Sequence, residues 1–251
     1  MKLFYTEFEP EGILKKFFSE AAKFEVKEKE KLNFNLLIDY TSSLLITIDK
    51  NTSKAAFNIA GFRDERIEID LELDSVLYLY KFKPEIFFLI NKGNIEGFKN
   101  KVIPFDDIKI SKEIRTDEEL SKALLKYFGN VKCDTSNIKN YVYDAIKLIL
   151  ENNGAFRIED IFKKEEVSIR QFQREFKKVT GFSPKEFSSI VRVSSLTNEL
   201  VKDDVSLADV FFNYGFYDQA HFNKEFKKVI GINPSSFESR QKLIKYLKLL
   251  K

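Results

Sequence analysis

The chain has 251 residues, a length that predicts two domains. Apolar residues make up 43% and charged residues 32%, near the globular average, which excludes disordered, collagen-like and coiled-coil classes. Neither a membrane span nor a signal peptide is predicted, so we expect a cytoplasmic protein without a membrane partner. One cysteine and one histidine exclude a disulfide and a four-ligand Cys/His zinc site, and we predict no cofactor, metal or catalytic residue.

The charge is distributed unevenly along the chain. Residues 1–130 contain 21 Lys and Arg against 23 Asp and Glu, whereas residues 131–251 contain 21 against 16. A basic C-terminal half fits contact with a polyanion, although a difference of this size also arises between solvated surfaces.

Residues 1–115 are predicted to form an α+β domain. Apolar side chains recur with the spacing of strands in four segments: 34–38, 44–48, 67–73 and 76–80. A helix is expected from about Glu11 to Phe24, and another is expected to begin at Pro84.

A bridging helix and a linker are predicted over residues 116–137. Thr116 and Glu119 have capping-box spacing, an apolar stripe follows, and Gly129 ends the helix. Residues 129–137 lack periodicity and form the expected linker, in which Cys133 is an ordinary free thiol.

The remaining residues, 138–251, are predicted to be all-helical. The expected helices span residues 138–151, 158–165, 168–179, 183–201, 207–213, 218–229 and 233–239. The tail at 241–251 has an apolar stripe that is more typical of packing than of a dimer seam.

This helical half contains an internal repeat. Residues 172–187, FQREFKKVTGFSPKEF, align with residues 222–237, FNKEFKKVIGINPSSF, with nine identities in sixteen positions. Each copy reads as an amphipathic helix, a glycine that ends it and a proline that opens the next helix. With the short helices before them, the copies predict two helix-turn-helix units joined by the long helix at 183–201.

The second copy lies within a longer motif. Residues 214–237, YGFYDQAHFNKEFKKVIGINPSSF, resemble the signature of AraC/XylS-type transcription regulators, and the resemblance extends over residues 138–240. Members of that family are bacterial activators or repressors. The resemblance therefore implies a regulator that places two recognition helices in adjacent major-groove segments of double-stranded DNA and contacts RNA polymerase, with no enzyme activity.

The sequence departs from the family pattern in both units. Phe162 and Phe211 stand where a small residue usually packs, and because both units change alike we expect compensated repacking. Glu166 replaces the usual turn glycine, which the second unit keeps as Gly215. A glutamate in the left-handed backbone conformation that glycine usually adopts in this turn is strained by about 1 kcal/mol.

The recognition helices present polar side chains opposite their buried phenylalanines. Arginine can bridge guanine acceptors and glutamine can bridge adenine, and the family uses these positions for DNA contacts. The predicted contacts are Arg170, Gln173 and Arg174 in the first unit, and Gln219, His221, Asn223 and Lys224 in the second. Four lysines are predicted to contact phosphates: Lys177, Lys178, Lys227 and Lys228. In the alternative interpretation, the lysine pairs only favour the helix C-terminus and His221 only caps or fills space.

The front domain is similar to a small N-terminal domain found in some AraC-type regulators. The resemblance rests on Phe82 and Pro84 and on the turn Pro104-Phe105-Asp106-Asp107. It implies a sensing or dimerising domain, which would take an unidentified small-molecule effector or form a homodimer. Four aromatic residues are candidates for a pocket, although a plain core role is favoured: Phe57, Phe62, Tyr78 and Tyr80.

Three functions remain open from the sequence. The favoured one is a transcription regulator with a sensing or dimerising front domain. The alternatives are a DNA-binding module appended to an enzymatic front domain, as in alkylation repair, and an architectural or partner-binding protein. The missing cysteine cluster argues against the enzyme.

Overall fold

The computed structural model of the protein describes residues 3–26, 32–72, 74–106, 113–155, 167–202 and 214–236. The chain divides into two compact units. Unit 1 comprises residues 1–36 and 41–137, and unit 2 comprises Leu37–Tyr40 and residues 138–251. An α+β unit is thus followed by a helical one, as the sequence predicted. Within the described ranges, no helix is both long and apolar enough to cross a membrane.

Unit 1 contains two antiparallel sheets. Its described strands are β1 (Leu3–Phe8), β2 (Phe18–Val26), β3 (Leu32–Leu36), β4 (Ser43–Asp49), β5 (Ala55–Ala60), β6 (Ile67–Leu71), β7 (Ser75–Phe82) and β8 (Val102–Pro104). Six of them form a sheet in the order β1-β2-β7-β4-β5-β8, and β3 pairs with β6. The four strands predicted from apolar spacing are therefore confirmed.

Residues from both sheets share one apolar cluster. Leu36 of β3 and Leu71 of β6 belong to the same buried group as Phe24, Leu45 and Leu77 of the larger sheet. Burying each such side chain contributes about 1.5–3 kcal/mol. The central strand β7 is buried on both faces, as predicted, with only Lys81 half-buried.

The predicted helix from Glu11 to Phe24 is wrong. The segment instead forms a short 3₁₀ helix, Gly12–Lys16, followed by β2. Its apolar residues fit helical spacing, but β2 pairs on one side with β1 and on the other with β7. Strand pairing with distant residues overrides the local pattern.

The two α-helices described in unit 1 begin where the sequence predicted. In α1 (Pro84–Ile90) the proline occupies the first turn. In α2 (Asp117–Gly129) the Thr116 side chain accepts a hydrogen bond from the backbone N–H of Glu119 at 3.1 Å. Beyond α2, Cys133 is half-buried, and burial raises the pKa of its thiol, which disfavours the reactive thiolate.

Asp117 attaches the first turn of α2 to the sheet. The ammonium of Lys23 donates to its carboxylate at 2.7 Å, and the hydroxyl of Tyr78 donates at 2.5 Å. Burial favours the neutral carboxyl, but these two hydrogen bonds outweigh it and hold the pKa of Asp117 below its ordinary value. At the other end of α2, Phe128 packs on Phe17 and Phe18 with ring centroids 4.8 and 4.9 Å apart.

From Ile138 onward, the described secondary structure of unit 2 is helical. Its helices are α3 (Asn140–Glu151), α4 (Ile169–Thr180), α5 (Pro184–Lys202) and α6 (Gln219–Ile230), with a 3₁₀ helix at Pro234–Ser236. Each α-helix confirms a predicted one. The helices predicted at 158–165 and 207–213, the tail, and the departures at Phe162, Glu166 and Phe211 lie outside the described residues.

The long helix α5 makes contacts along much of its length. Phe187 packs on Tyr40 at 4.9 Å between ring centroids, which places a segment from the N-terminal half of the chain within unit 2. One turn further on, the guanidinium of Arg192 donates to the carbonyl of Gly154 at 2.9 Å, just beyond the end of α3. Helix α5 therefore organises the unit that carries the repeat.

Candidate nucleic-acid interface

The repeat forms two helices with matching ends, α4 and α6, of 12 residues each. At the start of α4 the Ser168 side chain accepts a hydrogen bond from the backbone N–H of Gln171 at 3.2 Å. At the start of α6 the Asp218 side chain accepts one from the backbone N–H of His221 at 2.7 Å. Gly181 and Gly231 end the helices at φ of 82° and 85°, a left-handed conformation that favours glycine. The repeat predicted from the sequence is thus also a structural repeat.

The buried faces of the two helices also correspond. Phe172, Phe176 and Val179 are buried in α4. Their equivalents in α6, Phe222, Phe226 and Val229, are buried as well. Because each helix packs through this stripe, its opposite face is the one available to a partner.

Most of the predicted DNA contacts lie on that available face. The exposed ones are Arg170, Gln173, Arg174, Lys177 and Lys178 in α4, and Gln219, Lys224, Lys227 and Lys228 in α6. His221 and Asn223 are half-buried. Each helix thus gathers its candidate residues on one side of a fixed apolar anchor.

His221 is held by its surroundings. Its Nδ1 accepts a hydrogen bond from the backbone N–H of Tyr217 at 3.4 Å, and its ring lies edge-on to Phe216 at 5.6 Å. With Nδ1 as an acceptor, the neutral imidazole carries its proton on Nε2. The side chain therefore fills space at the helix start and retains one donor for a partner.

Basic residues from both helices lie around the start of α5. Ser183 and Glu186 form a capping box: the backbone N–H of Ser183 donates to the Glu186 carboxylate at 2.9 Å, and the backbone N–H of Glu186 donates to the Ser183 hydroxyl at 3.3 Å. Burial opposes ionisation of Glu186, but the bonds from Ser183 and the charges of Lys228 and Lys177 hold its pKa below the ordinary value. One carboxylate thus interacts with the last turns of both α4 and α6.

Sequence reasoning missed how α6 and the residues just before it contact α5. The hydroxyl of Ser189 donates to the carboxylate of Glu225, and the guanidinium of Arg192 lies 5.4 Å from the centre of the Phe216 ring. The hydroxyl of Tyr214 donates to Glu199 near the other end of α5. Glu225 could have been singled out from the sequence, because it is identical to Glu175 in the repeat and is not one of the predicted DNA contacts.

A family model described as a helix-turn-helix domain matches residues 161–240, or 80 of the 251 residues. The match contains both copies of the repeat. This finding agrees with the resemblance stated from the sequence: residues 161–240 carry a helix-turn-helix domain. No curated protein matches the chain significantly.

Solved structures of ToxT from Vibrio cholerae are similar to the chain. A ToxT structure from strain O395 has 16% sequence identity and a TM-score of 0.48, over 94% of this chain and 99% of that chain. ToxT bound to an unsaturated fatty acid has 15% identity and a TM-score of 0.45, over 88% of this chain and 94% of that chain. The assignment of the C-terminal half rests on the helix-turn-helix match and on the described helices.

Proposed function

We propose that the protein is a cytoplasmic, sequence-specific transcription regulator that inserts α4 and α6 into adjacent major-groove segments of a promoter site. The observation that carries the proposal is the pair of matching helices. Each is anchored by two buried phenylalanines and presents a basic and amide-bearing face outward. The helix-turn-helix match supports the same function, because this motif binds DNA through its second helix.

The residues near the start of each helix are proposed to read bases. Arg170 and Arg174 are suited to the two acceptors of guanine, and Gln173 is suited to adenine. In α6 the corresponding candidates are Gln219, Asn223 and the Nε2 donor of His221. The lysines near the far ends, with Lys224, are proposed to contact phosphates: Lys177, Lys178, Lys227 and Lys228.

The length of α5 supports two contacts on one face of the duplex. Its 19 residues span about 28 Å at 1.5 Å per residue. Half-sites one DNA turn apart are separated by roughly 34 Å. A single chain is therefore proposed to recognise a non-palindromic site with two parts about 10 base pairs apart.

For the front of the chain we propose a sensing or dimerising domain over residues 1–115, with residues 116–137 as a bridge. In this proposal the front domain regulates the DNA-binding domain at 138–251 and the contact of the protein with RNA polymerase. Three of the four aromatic candidates for a pocket, Phe62, Tyr78 and Tyr80, are buried, and Tyr80 packs on Phe18 at 5.2 Å between ring centroids. These contacts favour the core role.

Selection of bound sites from a random DNA library tests this function. The full-length protein is expected to enrich one bipartite motif. A variant with both Arg174→Ala and Lys224→Ala is expected to enrich that motif more weakly and to lose the preference at the base contacted by Arg174, because it loses one outward basic residue from each helix. The matched control is Lys126→Ala, which removes a basic side chain from α2. Enrichment of random sequence by the unaltered protein would contradict a sequence-specific regulator.

A further inference from the structure

Arg192, near the middle of α5, contacts the chain next to two different helices. Its guanidinium donates through Nη2 to the carbonyl of Gly154 at 2.9 Å, just beyond the end of α3. The same guanidinium lies over the ring of Phe216, 5.4 Å from its centre, just before the start of α6. One half-buried side chain therefore contacts both the segment that follows α3 and the segment that precedes α6.

The contact with Gly154 connects Arg192 to α4. The carbonyl of Gly154 also accepts a hydrogen bond from the hydroxyl of Ser188 on α5 at 2.5 Å. Gly154 has a φ of 81°, and a Cβ at this position would lie 2.4 Å from the carbonyl oxygen of Ser188, so glycine is required for this close approach. Helix α3 in turn packs on α4, with the rings of Tyr141 and Phe172 6.3 Å apart. The position of α4 relative to Arg192 is thus set through α3.

The contact with Phe216 connects Arg192 to α6. The ring of Phe216 lies edge-on to that of Phe222 at 5.3 Å, and Phe222 is one of the buried phenylalanines of α6. The carboxylate of Glu225, which accepts from the hydroxyl of Ser189 on α5, also interacts with the charge of Arg192. The position of α6 relative to Arg192 is thus set through Phe216 and Glu225.

Arginine can make these two contacts together. Its planar guanidinium donates hydrogen bonds within its plane and stacks on an aromatic ring through its face. A contact on one side therefore does not displace the contact on the other. Neutral side chains of similar length offer neither the charge nor the rigid set of donors.

We propose that Arg192 is a positioning residue that fixes the orientation of α6 relative to α4 and thereby sets the spacing between the two parts of the DNA site. One inserted base pair moves the second part about 3.4 Å along the duplex and rotates it by roughly 34°. A rigidly held pair of helices cannot follow this change, whereas a loosely held pair can. The inference rests on the proposed function and deepens it, because it assigns the spacing requirement to a residue that does not itself read DNA.

A spacing series tests the proposal. Binding of the full-length protein is measured on its selected site and on derivatives with one base pair inserted or removed between the two parts. The unaltered protein is expected to bind the altered spacings at least roughly five-fold more weakly, the effect of losing one direct base contact. Arg192→Met removes the donors and the charge, and it is expected to reduce this penalty by roughly two-fold or more.

The penalty is a ratio of affinities, which separates positioning from stability. A variant with a smaller folded fraction binds every site more weakly by the same factor, so its ratio stays unchanged. Ser188→Ala is the matched control, because it removes the other donor to Gly154 and is expected to keep the full penalty. Arg192→Lys keeps a cation for the ring of Phe216 and is expected to restore part of the penalty. No restoration would overturn the part assigned to this contact.

The outcomes distinguish this inference from the function on which it rests. Retention of the full penalty by Arg192→Met would overturn the role of Arg192, and so would an equal relaxation in Ser188→Ala. Equal binding of all spacings by the unaltered protein, on a defined bipartite site, would overturn the inference and leave the proposed function. Failure to select a bipartite site would remove the proposed function and the inference together.

Discussion

Arg174 and Lys228 are both exposed cations on the outward faces of α4 and α6, but they occupy different positions. Arg174 lies near the middle of α4, and its guanidinium contacts Glu175 at 3.1 Å with the side chain 73% exposed. Lys228 lies in the last turn of α6, where it interacts with Glu186. A planar guanidinium can bridge two base acceptors, whereas a lysine in the last turn is suited to a phosphate.

Substituting these two residues separates base reading from phosphate contact. Arg174→Ala is expected to cost about 1–3 kcal/mol at the preferred site and to reduce discrimination at one base pair. Lys228→Ala is expected to weaken binding to all sequences alike and to lower the salt slope by about one unit. Titrations with matched and scrambled DNA at several salt concentrations measure both effects. An equal loss on both DNAs for Arg174→Ala would identify a phosphate contact instead.

Asp117 makes the stability of unit 1 depend on pH. Because the pKa of its carboxyl is lower in the folded state, its stabilising contribution is present above the unfolded pKa of about 3.9 and is lost as the pH falls through the folded pKa. Asp117→Asn is therefore expected to be less stable at neutral pH, with the difference narrowing below about pH 4. Urea unfolding across this range measures it. The control is Glu118→Gln, which affects only an exposed pair with Lys122, and a constant difference at all pH values would contradict the assignment.

At the scale of elements, α6 depends on the cap that Asp218 provides. Asp218→Ala is expected to destabilise unit 2 by about 0.5–2 kcal/mol, because the N–H of His221 loses its partner. Asp218→Asn keeps a capping oxygen and serves as the control. Urea unfolding compares the variants, and equal stability of Asp218→Ala and the unaltered protein would show that the cap does not contribute.

Elements defined by local signals were predictable from the sequence. Thr116 caps its helix as its spacing indicated, because a cap joins residues three positions apart, and Ser168 and Ser183 cap theirs in the same way. Contacts between distant residues were not predictable. Strand β2 depends on pairing with β7, and Lys23 meets Asp117 across 94 residues of sequence. A single sequence contains no local pattern for such contacts.

In the candidate interface, too, features set by local sequence were predictable and contacts between distant residues were not. The outward faces of α4 and α6 follow from helical periodicity and from the repeat, so their exposed residues could be named from the sequence. The contact between Ser189 and Glu225 joins residues 36 positions apart, and it depends on how α6 packs on α5.

At the scale of the whole molecule, the segment Leu37–Tyr40 belongs to unit 2 although the surrounding residues belong to unit 1. Limited proteolysis is expected to cut within 129–137, where most residues are exposed, and to leave a folded fragment that binds DNA. A fragment of residues 138–251 made alone lacks the contact of Tyr40 with Phe187 and is expected to be less stable by about 0.5–1.5 kcal/mol.

Tyr40→Ala in the full chain is the matched control, since it removes the same ring contact without shortening the protein. Urea unfolding of unit 2, followed by DNA binding, measures both changes. A fragment that is unfolded or unable to bind DNA would show that residues 1–137 are required for the fold of unit 2.

The central claim is that one chain uses both recognition helices on one face of the DNA. A hydroxyl-radical footprint of the full-length protein on its selected site, at one chain per site, tests this claim most directly. The length of α5 predicts two protected patches about 10 base pairs apart on a non-palindromic sequence. A single protected patch would contradict the claim by showing that one of the two helices makes no contact.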